Sequence, residues 1–412
     1  MQNHDVNLGV IGLGSRGRGL IRTMLIIEGI RILAICDSNP GFFEQILPVF
    51  DNALVPKPDT YTDYKALLAR DDIQGVVIAT NWITHIPLAI STMKAGKYAG
   101  VEVGGAASTE ECWQLIKTYE ETGVPCMMLE NCCYGKYEMM MYNMIKQGVF
   151  GELVHCECGY GHDIRKMAGS LNNRLYNNMH RNGDLYPTHG VGPIAKMLKI
   201  NRGNRFVSIV SMASKAVGLR DWIKKNKEPD YELANFDFVK GDVVQSLIKC
   251  AHGETVLVTH NVSLPRPYSR FNLVQGTNAI YSEERSGIFI DQKTQEEKWD
   301  PIDDYFEEYG HPLWKDFINS GVKGGHGGMD HLTLLAFADA IRNKTQTPID
   351  VYDVATWMAI TVLSEQSIHT GSSSVAFPDF TNGKWIDREK PVKSIYALDD
   401  IYPECFVKGN EL

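Results

Sequence analysis

The chain has no apolar run approaching the roughly 20 residues that a membrane-spanning helix needs. It also lacks a surplus of basic charge: 41 Lys and Arg stand against 50 Asp and Glu, a net −9. That balance excludes nucleic acid as a partner, because phosphate binding needs a concentrated basic surface. There is no internal repeat and no low-complexity segment. The first strand-like run starts at Val6, too early for the charged and apolar stretches of a signal peptide. As it stands the chain reads as cytoplasmic; a leader already cleaved away would make it periplasmic or secreted. The nine cysteines are odd in number and scattered over 412 residues, which favours reduced thiols over a disulfide framework. Cys132-Cys133 and Cys156-x-Cys158 have no partners at zinc-site spacing, and alternate strand residues share a face, so packing is expected and no metal.

What is present is an ordinary globular composition, 44% hydrophobic and 22% charged, on a chain long enough for two domains. Apolar runs at 6–11, 30–36, 75–79, 98–103 and 125–129 read as strands, and 18–28, 64–68, 86–95 and 109–122 carry helical spacing. Such alternation implies right-handed βαβ units on a parallel sheet. After about residue 150 the texture changes. Runs at 151–160, 206–213, 242–250, 254–263 and 271–283 look like longer strands joined without regular helices, followed by helices at 329–343 and 351–369. The expected fold is α/β: a Rossmann domain over 1–130, then an α+β domain over 131–412 with an open, mostly antiparallel sheet. A C-terminal helix of the second domain is placed to pack back on the first.

Gly12-x-Gly14-x-x-Gly17 lies between a strand and a helix, the context that makes this pattern specific. Gly12 permits the tight turn, Gly14 lets the backbone approach a pyrophosphate, and Gly17 lets the helix pack on the strand. The helix N-terminus around Ser15 and Arg16 then offers free N–H groups and a positive dipole end. Asp37 follows Gly17 by 20 residues, where a carboxylate accepts the ribose hydroxyls and repels a 2′-phosphate, so the cofactor expected is NAD rather than NADP. Loops at strand carboxyl ends line the crevice of this fold, which adds Asn81, Trp82, His85, Glu102, Val103 and Asn131 as cofactor contacts.

At Glu102 the chain resembles the glucose–fructose oxidoreductase and inositol dehydrogenase superfamily, whose dehydrogenases usually carry Glu-Lys-Pro with a proton-transferring lysine. Here the triplet is Glu102-Val103-Gly104. The stretch Met179-His-Arg-Asn-Gly-Asp-Leu-Tyr186-Pro187-Thr188-His189-Gly-Val-Gly-Pro193 resembles glycoside hydrolase family 109. So do Leu129-Glu-Asn-Cys-Cys-Tyr134, Gly151-Glu-Leu-Val-His155, Pro265-Arg-Pro-Tyr268-Ser269 and Gly324-Gly-His326-Gly-Gly-Met-Asp330. That family comprises NAD-dependent glycosidases, with α-N-acetylgalactosaminidase as the best-known activity. The resemblance implies transient oxidation at C3 of the sugar, loss of the C2 proton, elimination of the C1 oxygen, addition of water and re-reduction. It also implies a small carbohydrate or glycoside as substrate and a dimer as the assembly.

His189 has the pKa range of a base for a sugar hydroxyl, and Tyr186 lies three residues before it. Tyr160, flanked by glycines at a strand end, and Tyr268 complete the catalytic set. Arg181, Pro187 and Thr188 join them as substrate contacts. A tyrosine acting as base needs its pKa of about 10 lowered by nearby cationic charge, for which Arg165, Arg174 and Arg181 are the candidates. Between Tyr160 and Tyr186 lie 25 residues, fewer than in many family members, and this loop borders the expected sugar position. Two other readings compete: a sugar or polyol dehydrogenase, disfavoured by Val103, and an NAD-bound sugar sensor, which needs no base.

Overall fold

The structure, a computed structural model, describes residues 5–170, 172–388 and 392–406. Six strands form the first sheet: β1 (Val6–Ile11), β2 (Ile30–Cys36), β3 (Asp59–Tyr61), β4 (Gly75–Ile78), β5 (Tyr98–Val101) and β6 (Cys126–Met128). They lie in the order β3-β2-β1-β4-β5-β6, all parallel. β4 is buried throughout and β1 nearly so, which is why they read as continuous apolar runs rather than alternating ones. The chain reverses direction of winding between β1 and β4, and the crevice beyond the carboxyl ends of these two strands is where this topology takes its ligand.

The second sheet has nine strands: β7 (Leu153–Gly161), β8 (Phe206–Ala213), β9 (Val243–Cys250), β10 (Thr255–Asn261), β11 (Leu273–Gly276), β12 (Ala279–Ser282), β13 (Gly287–Ile290), β14 (Asp300–Pro301) and β15 (Val375–Ala376). Their order is β14-β13-β12-β11-β7-β10-β9-β8-β15. Among the described residues β7 and β10 are parallel and every other pair is antiparallel. β9 alternates buried and exposed residues, as a strand with one covered face should.

Two expectations need correction. The run 271–283 is not one strand but the hairpin β11–β12. The segment between β7 and β9 is not free of regular helices, since it holds Asn173–His180, Thr188–Met197 and Gly218–Asn226. The second of these carries Gly190, Gly192 and Pro193, which mask a helical pattern. Gly190 is required there, because a Cβ would run into the Gly159 backbone of β7.

Two late helices tie the sheets together. Met329–Asn343 lies on the first sheet, with Phe337 against Gly100 and Ile341 against Gly75. Val351–His369 is buried on almost every face. Its Ser367 hydroxyl accepts from Ser211 N of β8 at 2.8 Å, its Met358 carbonyl accepts from Ala106 N at 3.0 Å, and its Tyr352 hydroxyl donates to Glu120 at 3.0 Å. A capping box of Asp350 and Asp353 starts it.

Candidate active site

A cleft of about 1130 Å3 runs from the carboxyl ends of the first sheet to the end of β7. It exceeds the roughly 300–1,000 Å3 of sites for small ligands, leaving room for a dinucleotide and a sugar together. At one end lies the glycine-rich turn. Gly12 has φ 97°, and a Cβ on it would sit 2.6 Å from the Ala79 carbonyl. A Cβ on Gly17 would strike the Gly12 carbonyl oxygen, so Gly17 serves packing and does not line the cleft. Gly14 faces open space. The helix Ser15–Met24 that follows has no capping side chain and no acid in its first turn, so its N–H groups are left for an anion. Asp37 is held by N–H donation from Leu13 at 2.7 Å to one oxygen and from Asn39 at 2.9 Å to the other, each oxygen keeping a lone pair for a ribose hydroxyl. This cradle fits NAD.

Asn81, Trp82, His85, Glu102, Val103 and Asn131 all line the cleft. Burial pulls the His85 pKa down to about 4, so its ring is neutral, bonded to the Thr80 carbonyl at 3.1 Å. Val103 replaces the lysine of the dehydrogenase triplet with a buried apolar wall. A Cβ on Gly104 would lie 2.5 Å from the Trp82 indole, which in turn packs on Tyr186 with ring centres 5.5 Å apart. Arg16 is held by Glu102 at 2.8 Å and bidentately by Asp330 at 2.8 and 2.9 Å. Asp330 also accepts from Asn131 at 2.7 Å and pairs with His326 at 2.8 Å. A residue in the first turn of the helix Met329–Asn343 thus fastens three groups around the cleft, a role its sequence context does not reveal.

At the other end Tyr160, Tyr186 and His189 converge. Tyr160 and Tyr186 ring centres are 4.6 Å apart, and those of Tyr186 and His189 4.9 Å. The Tyr186 hydroxyl is 3.5 Å from His189 Nε2. His189 Nδ1 is 2.7 Å from Glu130 Oε1, which also accepts from Cys132 N at 3.1 Å. Burial alone would raise the Glu130 carboxyl; the His189 imidazole overcomes it and holds the group below the usual carboxylate range. Sequence reasoning missed Glu130, although an acid directly after a fully buried strand, beside Asn131, was the available signal. Glu130, Cys132 and His189 also bring three ligand-type atoms within 4.8 Å of one another, the one such grouping among the described residues.

Arg174 is one of the three cations expected to lower a tyrosine pKa. Its guanidinium sits 5.1 Å from the Tyr186 ring centre and 6.0 Å from that of Trp82 and donates to the Tyr160 hydroxyl at 3.4 Å. Its pull is outweighed: burial pushes the Tyr186 phenol well above its usual value. Burial likewise pushes Tyr268 up. Both phenols therefore keep their protons near neutral pH. Arg165 is occupied by Asp163 at 2.7 Å. Arg181 does not line the cleft; it forms a bidentate pair with Glu365 at 2.7 and 2.8 Å and donates to the Ala106 carbonyl. Pro187 and Thr188 form the start of the His189 helix and are covered, while Tyr268 is 47% exposed at the rim, edge-on to Tyr160 at 6.1 Å. Beneath the tyrosines, Asp184 accepts from Tyr186 N at 3.1 Å, and burial raises its carboxyl to about 7.

Comparison with known proteins decides the relationship. The family described as "Glycosyl hydrolase 109, C-terminal domain" matches residues 134–387. The chain belongs to glycosyl hydrolase family 109. Residues 6–130 of this family-109 glycosidase match "Oxidoreductase family, NAD-binding Rossmann fold", which makes NAD its cofactor. It is 41% identical over 411 residues to an alpha-N-acetylgalactosaminidase of Tannerella forsythia, covering 93% of this chain and 88% of that protein. A family-109 protein of Shewanella pealeana is 42% identical over 393 residues, covering 92% and 86%. In fold it resembles a levoglucosan dehydrogenase solved with NADH, at a TM-score of 0.70 and 18% identity, over 91% of this chain and all 100% of that one. An NAD-binding oxidoreductase of Klebsiella pneumoniae aligns at a TM-score of 0.71 and 15% identity, over 91% and 99%. Among the described residues no helix is long and apolar enough to cross a membrane.

Proposed function

We propose that the chain hydrolyses N-acetylgalactosaminides by oxidising C3 of the sugar transiently, so that the C2 proton becomes acidic and the C1 oxygen can be eliminated. One observation carries this reading. The only carboxylates lining the described cleft are Asp37 and Glu102, the first held by backbone N–H groups and the second by Arg16. An ordinary glycosidase needs two free carboxyl groups about 5–10 Å apart across the scissile bond. In their place stands a histidine backed by a buried carboxylate, next to a dinucleotide crevice.

Gly12, Gly14, Ser15, Arg16, Asp37, Asn81, Trp82, His85, Glu102, Val103 and Asn131 would hold NAD, with Gly17 supporting the turn. When bound, NAD supplies a hydride acceptor that is restored within the same turnover. His189 Nε2 takes the proton of the C3 hydroxyl, and Glu130 fixes the tautomer and steadies the imidazolium. Tyr186, protonated, donates a hydrogen bond to the oxygen at C3 as negative charge builds there. Arg174, which donates to the Tyr160 hydroxyl and lies over the Tyr186 ring, places a positive charge beside the same region. Tyr160 faces C2, and Tyr268 closes the rim. Cleavage of a nitrophenyl N-acetylgalactosaminide in deuterated water, followed by NMR of the product, tests the reading. Deuterium at C2 without net NADH is expected; cleavage with an unlabelled C2 would refute it.

We place the domain boundary at 130/131 and infer a dimer through the outer face of the second sheet, where Val154, Val210, Met212 and Leu247 are exposed. Light scattering at micromolar concentration should give twice the 46.2 kDa chain mass.

A further inference from the structure

Two protons leave the sugar in this chemistry before either returns, one from the C3 hydroxyl and one from C2. Once His189 holds the first, it cannot accept the second. A second acceptor is therefore required, and a phenol with a pKa of about 10 is a poor one unaided.

We propose that His162 is that acceptor's partner: it acts through Tyr160, taking the phenol's proton as the phenol takes the proton of C2. The inference rests on the redox-elimination reading. The geometry is specific. Tyr160 stands near the end of β7, and His162 follows two residues later, fixed by donation from its N–H to the Asn261 carbonyl at 3.0 Å. The Tyr160 hydroxyl is 2.8 Å from His162 Nδ1. Arg174 already donates to that hydroxyl oxygen at 3.4 Å, so the phenol's own hydrogen is the one left to point at Nδ1. His162 lines the same cleft and is partly exposed, so a proton it holds can exchange with water.

The surroundings suit a neutral acceptor. The groups facing His162 are Arg174 of helix Asn173–His180, His189 of helix Thr188–Met197, Asp163 of its own segment, and the ring of Tyr268 at 5.2 Å. Burial, and then the Arg174 charge, lower its pKa, so the ring is unprotonated and free to accept. The site thus contains two hydrogen-bonded pairs, His189–Glu130 and Tyr160–His162, one for each proton.

The step balances as follows. The C2–H bond breaks, its proton joins Tyr160 Oη, and the phenol proton passes to His162 Nδ1. The electron pair left on C2 forms a C1–C2 double bond as the C1–O bond breaks. Water then adds its hydroxyl to C1 and gives its proton to the departed oxygen. His162 returns its proton through Tyr160 to C2. His162 is a positioning residue in this scheme, since it reaches the sugar only through Tyr160.

The test compares wild type with His162→Phe, His162→Gln, Tyr160→Phe and the double variant His162→Phe/Tyr160→Phe, using nitrophenyl N-acetylgalactosaminide with hydrogen or deuterium at C2. His162→Phe should lower kcat by about 10²–10⁴-fold, the range of a general base, with KM and NAD retention unchanged. The C2 isotope effect on kcat should rise, because that step becomes limiting. The double variant should be no slower than Tyr160→Phe, as expected of groups that act as a unit. His162→Gln keeps an acceptor for the phenol hydrogen but cannot take its proton, so it should be as slow as His162→Phe; it also serves if the latter does not fold. Wild-type rate in His162→Gln, an unchanged isotope effect in His162→Phe, or additive losses in the double variant would overturn the proposal while leaving the elimination chemistry intact. A wild-type enzyme that places no deuterium at C2 would instead remove the chemistry on which the proposal rests.

Discussion

Glu130→Gln probes the pairing that sequence reasoning missed. In the folded chain Glu130 Oε1 accepts from both His189 Nδ1, at 2.7 Å, and Cys132 N, at 3.1 Å. A glutamine must keep its carbonyl oxygen on that side, because Cys132 N–H still needs an acceptor. The tautomer of His189 is thereby preserved, and what disappears is the negative charge opposite the imidazolium. A hydrogen bond to a charged group is worth about 1.5–3 kcal/mol, so kcat should fall by about 10- to 150-fold. The amide nitrogen takes the place of Oε2, which has no partner among the described residues, so a modest loss of stability should accompany the change. The assay is steady-state release of nitrophenol alongside NAD titration by fluorescence. NAD affinity should not change, and Glu130→Gln/His189→Ala should be no slower than His189→Ala. A Glu130→Gln enzyme within twofold of wild type, or a double variant slower than His189→Ala alone, would refute the pairing.

His189→Ala should lower turnover by about 10²–10⁴-fold while NAD stays bound, measured as absorbance of heat-released nucleotide. Asp37→Ala should weaken NAD about 10- to 100-fold and relax discrimination against NADP, read from dissociation constants for both. Asp330→Asn should reduce stability by about 1.5–3 kcal/mol in denaturant, because Arg16 loses one of its two carboxylate partners and keeps Glu102. Asp184 is fully covered and its carboxyl is raised to about 7, so folding takes up a proton between the unfolded pKa near 4 and that value. Its contribution therefore declines as pH rises through that window, and Asp184→Asn should gain melting temperature relative to wild type from pH 4.5 to 7.5. A constant difference across that range would contradict the burial argument.

Long helices bounded by clear start and stop residues were legible to the residue: Thr109–Thr122, Met329–Asn343 and Val351–His369 were expected at the bounds they have. Thr188–Met197 was not, because close approach to β7 demands glycine at 190 and erases the local signal. Gly41–Asn52, with Pro48 inside it, was hidden for a similar reason. In the site, the residues named by the strand–turn–helix pattern line the cleft, except Gly17, which packs the helix on the strand. Glu130 and Asp330 were missed, since each matters through a partner far along the chain: Asp330 and Arg16 are 314 residues apart, and Glu130 and His189 59. His162 was missed although its partner Tyr160 is only two residues away, because nothing local in the sequence shows that the phenol and the imidazole turn toward each other. Arg181 looked like a substrate contact by proximity to Tyr186, yet Glu365, 184 residues away, claims it.

The contact between Gly104 and Trp82 constrains how such an enzyme can arise from a dehydrogenase bearing Glu-Lys-Pro. Replacing the lysine alone leaves a proline ring where the indole must lie, since even a bare Cβ at 104 would come within 2.5 Å of it. Replacing the proline alone seats the indole against Tyr186 but keeps a charged amine on the wall where Val103 now stands. The two positions are adjacent, so substitutions at them are expected to be non-additive. Reintroducing lysine at 103 today would therefore not restore a dehydrogenase.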